Sequence, residues 1–219
     1  MGRSGRRARR GIGALAAVAV GLICLTGSAP TVDPGSGPSP VTFVAIGDSL
    51  TNANSRNFSG RDVGDLSWVH YVTGVEFVGG WARGGAQTSD MVVNSRPASA
   101  DVLVVLAGTN DLAHGCSFEV ISRNLVAITR EVGVARVIVA ALPPRDSTPA
   151  TITEFNRELE ALADGRGWTF VDAMADLRSG DRYADGMSRD GLHPDRAGAE
   201  ILGYELSRAI AGVGGLPGG

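Results

Sequence analysis

The sequence predicts an α/β fold, a three-layer α/β/α domain with about five parallel strands. Two observations carry this. From Val41 onward, short runs of β-branched and apolar residues alternate with segments of helical spacing, and the glycines sit largely at segment ends. Such alternation implies parallel strands joined by right-handed crossovers and covered by helices on both faces. Composition adds a limit: 219 residues, 43% of them hydrophobic, suffice for one buried core and are short for two.

Taken in order, residues 1–10 are basic and 11–26 almost wholly apolar, the layout of a secretory signal with cleavage expected near Ser28. The apolar run is shorter than the ~20 residues of a spanning helix, so a secreted product is expected, with membrane attachment only if the segment stays uncleaved. Residues 29–40 (APTVDPGSGPSP) have the composition of a flexible linker. The domain proper spans 41–212. Its expected strands are 41–46, 75–78, 102–107, 136–141 and 168–171, each a short run rich in Val, Ile or aromatic residues. Helical spacing marks 65–72, 89–93, 117–132 and 151–164; residues 194–211 form a last amphipathic helix with Pro194 suited to its first turn, and 213–219 form a tail.

Charge and composition exclude several functions. Arg3, Arg6, Arg7, Arg9 and Arg10 precede every acidic residue, and without them 15 arginines face 23 carboxylates, about -8. An acidic body argues against nucleic acid as a partner. All 20 basic residues are arginines, which rules out a P-loop lysine, a Schiff-base lysine and a Ser-x-x-Lys pair. Cys24 lies in the apolar leader, leaving Cys116 as the one thiol of a cleaved product, too few for a disulfide framework or a metal cluster.

The chemistry gathers at the ends of strands. VTFVAIGDSLT (41–51) reads as a buried strand that stops at a turn presenting Ser49, with Asp48 bracing that turn. A serine nucleophile needs a base, and the chain holds three histidines. His70 lies in DLSWVHYV, where a half-buried structural role is expected, and His114 lies in a loop after GTNDLA. His193 follows Asp190 by three residues across a glycine turn in SRDGLHPD, close enough for the carboxylate to hold its Nδ1 while Nε2 faces a serine. Donors for an oxyanion are available after the second strand, at Gly84-Gly85, and after the third, at Asn110 of LVVLAGTND.

These four blocks (GDSLT, the glycine block, GTND and DGLHP), in this order and spread over nearly all of 41–211, resemble the SGNH or GDSL hydrolase family. The resemblance implies a flavodoxin-like fold and an esterase needing neither metal nor organic cofactor. It implies Ser49 as nucleophile, His193 as base and Asp190 as its partner, with Ser49 N–H, Gly85 N–H and Asn110 holding the oxyanion. The glycine block departs from the family's frequent Asn-x-Gly form, which leaves Gly84 as an alternative to Gly85. Thr51 also separates the serine motif from the Gly-x-Ser-x-Gly elbow. The expected substrate is a small-molecule or saccharide ester, with short acyl or acetyl groups favoured over the lysophospholipid, thioester and lipid substrates also found in the family. Trp81, beside the glycine block, is a candidate to stack on a sugar or line an acyl pocket, with core packing as its simpler role. A phosphoacceptor or cofactor-binding domain fits poorly, lacking an acidic cluster and a lysine, and a non-catalytic binding module leaves the reactive side chains unexplained.

Overall fold

A computed structural model describes residues 39–215. The expectations for the leader and for most of the linker lie outside these residues, as does the end of the C-terminal tail. Five parallel strands make the central sheet: β1 (Val41–Gly47), β2 (Val75–Ala82), β3 (Val102–Leu106), β4 (Arg136–Ala140) and β5 (Thr169–Val171), in the spatial order β2-β1-β3-β4-β5. The order reverses at β1, so a crevice opens beyond its carboxyl end, between the chains leaving β1 and β3. β3 is buried along its whole length and β1 from Phe43 onward, as expected of strands covered on both faces.

Helices α1 (Ser49–Asn52), α2 (Thr88–Asn94), α3 (Thr109–Ala113), α4 (Phe118–Val132), α5 (Pro149–Arg166) and α6 (Arg196–Gly214) supply the outer layers. α4 turns Ile121, Leu125, Ile128 and Val132 inward at helical spacing, and α5 does the same with Ile152, Phe155, Leu159 and Ala163. α2, α4 and α5 form one layer; α6 lies on the other with a 3-10 turn, Trp68–Tyr71. A two-stranded hairpin, β6 (Arg178–Ser179) and β7 (Arg182–Tyr183), precedes the last block.

Three expectations need correction. Residues 65–72 form only the single 3-10 turn, because Ser67 caps it by accepting the Val69 N–H and donates its own hydroxyl to Thr51 C=O at 2.5 Å. His70 on this turn is exposed, its ring edge-on to Tyr71. Pro194 lies outside the last helix: Asp195 is the cap, accepting the Gly198 N–H, and the helix continues through Gly214 into the expected tail. In the core Phe43 packs on both Trp68 and Phe77, which in turn meets Phe58.

Candidate active site

β1 delivers Ser49. Its last residues are buried, and Asp48 caps the short helix α1 that Ser49 begins, its Oδ1 accepting the Leu50 N–H at 2.9 Å. Ser49 itself is half-buried, and its N–H, the first of a helix, donates to no described residue. Asp48 is wholly buried and its Oδ2 has no hydrogen-bond partner. Burial, with a smaller push from the charge of Asp111, raises its carboxyl to about 7 against the pull of the Leu50 N–H.

The loops after β2 and β3 are cross-linked beside the serine. Asp111, also buried, accepts Thr88 N–H at 2.9 Å and Thr88 Oγ1 at 2.5 Å, and Asn124 donates to the same hydroxyl. Asn110 donates one amide hydrogen to Ala86 C=O at 3.0 Å, which orients the group and leaves its other hydrogen available. Gly85, one residue before Ala86, turns the chain at φ +76°, and its N–H donates to no described residue. Asp111 and Thr88 were not singled out in the sequence, although Asp111 directly follows Asn110.

The third part comes from residues 188–195. Asp190 Oδ2 meets His193 Nδ1 at 2.7 Å, and His193 Nε2 meets Ser49 Oγ at 2.9 Å. With Nδ1 donating to the carboxylate, Nε2 is left to accept the serine proton. Asp190 Oδ1 also accepts the N–H groups of Leu192 and His193. Partial burial pushes the Asp190 carboxyl up, but these bonds and the electrostatic attraction of His193 outweigh it and hold the group well below the usual carboxylate range.

Residues distant in sequence shape this turn. Asp146 N–H donates to Gly191 C=O at 2.8 Å, and Asp146 Oδ1 accepts Tyr183 N–H. Tyr183 in turn donates its hydroxyl to Leu192 C=O at 2.9 Å. Gly191 sits at φ +69° with its missing Cβ 2.9 Å from Asp146, so a side chain there would be strained and would collide. His114 takes no part in the serine contact; its Nδ1 lies 2.7 Å from Asn110 C=O at the exposed end of α3.

An open cavity of about 350 Å³ beside the serine is lined by Ser49, Leu50, Ala53, Leu66, His193 and Pro194, among others. Trp81 does not line it. The indole belongs to β2, under the Arg83 guanidinium, and lines a separate apolar cavity with Val44, Ile46 and Pro97. The half-buried indole also packs against the core.

Comparison with known proteins agrees with this architecture. The chain is similar to a Bacteroides fragilis protein described as an acylhydrolase (22% identity, 79% of this chain and 89% of that one, TM-score 0.61). It is also similar to a lipase/acylhydrolase from Enterococcus faecalis (21%, 78% and 96%, TM-score 0.57). A third likeness is to a G-D-S-L lipolytic family member from Veillonella parvula (19%, 76% and 96%, TM-score 0.59). At these identities the likeness carries the fold. No curated protein matches the sequence significantly. A model of the GDSL-like lipase/acylhydrolase family matches residues 45–201, more than two thirds of the chain and a span that contains all four blocks around Ser49. The chain therefore belongs to the GDSL-like lipase/acylhydrolase family and is an ester-hydrolysing hydrolase.

Proposed function

We propose that this protein is a secreted serine esterase that cleaves short acyl esters, acetylated saccharides among them, through an acyl-enzyme. Ser49 Oγ attacks the ester carbonyl as His193 Nε2 takes its proton, and Asp190 holds the imidazolium that forms. The N–H groups of Ser49 and Gly85 and the free amide hydrogen of Asn110 receive the oxyanion. His193 then protonates the departing alkoxide, and water repeats the sequence to release the acid.

One observation carries the reading: the continuous contact from Asp190 through His193 to Ser49, at 2.7 and 2.9 Å. The unpaired N–H groups of Ser49 and Gly85 support the oxyanion assignment. An open cleft of about 350 Å³ beside Ser49 suits a small ester. Secretion rests on the basic and apolar layout of the first 28 residues, and sequencing the amino terminus of exported protein tests it; retention of Met1 would refute cleavage.

Turnover of a chromogenic acetate ester tests the chemistry. Ser49→Ala is expected to lower kcat by about 10⁵- to 10⁶-fold and to abolish labelling by a fluorophosphonate probe. Unchanged turnover in this variant would end the assignment.

A further inference from the structure

Leu66 is one of few large apolar residues exposed in the described chain, at 39%, yet the backbone that carries it is tightly fixed. Asn54 Oδ1 accepts the Leu66 N–H at 2.9 Å while Asn54 Nδ2 donates to Asp65 at 2.8 Å. Asp65 is paired with Arg196 at the start of α6, and its carbonyl accepts the Tyr71 hydroxyl at 2.8 Å. On the other side Ser67 is tied to Thr51. These bonds fix the backbone from which the partly exposed leucine side chain projects.

That room has two compartments. Leu66, Asp190, His193 and Pro194 line both; the one beside Ser49 adds Leu50, Ala53 and Asn54, and the other, about 370 Å³, adds Asp65, Arg189, Asp195 and Arg196. Leu66 thus stands between an apolar space at the nucleophile and a charged space beyond it. Both adjoin His193, and the oxygen that leaves must receive its proton from His193 Nε2. The alcohol half of the ester therefore departs on this side.

Resting on the esterase reading above, we propose that Leu66 is the specificity-determining residue for the alcohol, setting how bulky a leaving group fits between Ser49 and the charged compartment. The substrate class that follows is an ester whose alcohol has a few carbons next to the ester oxygen and a hydrogen-bonding group farther out. The carbons pack on Leu50, Ala53 and Leu66, and the polar group meets Arg189, which has no hydrogen-bond or ion-pair partner among the described residues.

The test varies one half of the ester at a time, measured by acid release at constant pH. In Leu66→Ala, kcat/KM for cyclohexyl acetate relative to ethyl acetate should rise about tenfold, the worth of a few carbons of new space, and in Leu66→Trp the ratio should fall. The ratio of ethyl hexanoate to ethyl acetate should stay within about twofold of wild type in both variants. An active wild type whose Leu66 variants keep the wild-type alcohol ratio, or change the acyl ratio instead, overturns this proposal alone. Wild-type protein inert on every ester, with Ser49 unlabelled by fluorophosphonate, overturns the esterase reading and this one with it.

Discussion

Asp48 and Asp190 stand on either side of the same serine–histidine contact, and their surroundings are opposite. Asp48 is sealed at the end of β1 with one oxygen unpaired and its carboxyl pushed up to about 7. Asp190 lies on an irregular turn with 55% of its side chain exposed, and every bond it makes favours its charge. Ser49 is held by a strand packed into the core, and His193 by hydrogen bonds at the surface. Packing fixes a position because any shift leaves voids; polar bonds fix one only while each partner is kept.

Asp190→Asn should separate the two halves most clearly. The amide keeps the shape but cannot hold the imidazolium or impose its tautomer, so kcat should fall about 10⁴-fold. The melting temperature should fall modestly at neutral pH, because a carboxyl held below its usual range adds stability above about pH 4 that the amide gives up, an effect its exposure keeps small. A large drop in melting temperature would show that the base half is also a keystone of the fold.

Asp48→Asn probes the other half and should act on stability. A carboxyl at about 7 when folded and near 3.8 when free binds its proton more tightly in the folded chain. Its contribution is favourable at low pH and is lost as pH rises from about 4 to about 7, leaving a constant penalty above. The asparagine variant should therefore melt above wild type at pH 8.5, by an equivalent of roughly 4 kcal/mol, with the gap closing towards pH 4. A gap that does not vary with pH would mean that Asp48 is ionised throughout.

Tyr183→Phe is the mildest of the three. Removing the bond to Leu192 C=O should lower kcat severalfold by loosening the histidine turn, with about 1 kcal/mol lost in stability. A kcat equal to wild type, checked on the same acetate ester, would show that Asp146 alone is enough to hold the turn.

Legibility in the sequence follows the same division. All five strands were readable because buried parallel strands are written as local apolar runs, and the meeting of Ser49, His193 and Asp190 was readable because each sits in a short block at the end of such a run or before the last helix. Residues 65–72 misled because Val69 and Val72 have helical spacing, whereas what shapes the segment is bonding to Asn54, Thr51 and Arg196 far away in sequence. Tyr183 and Asp146 left no signal for the same reason: their partners are backbone groups of a turn that only the folded chain brings near. Asp111 could have been noticed, lying next to Asn110, but its bond to Thr88 joins two loops whose adjacency depends on the strand order.

Ser49 and His193 are 144 residues apart, and the histidine turn runs directly into α6, which closes one face of the sheet. The contact between Ser49 and His193 cannot exist until translation has passed position 193 and that closing helix has emerged and docked. A chain broken off before that point carries Ser49 without its histidine partner.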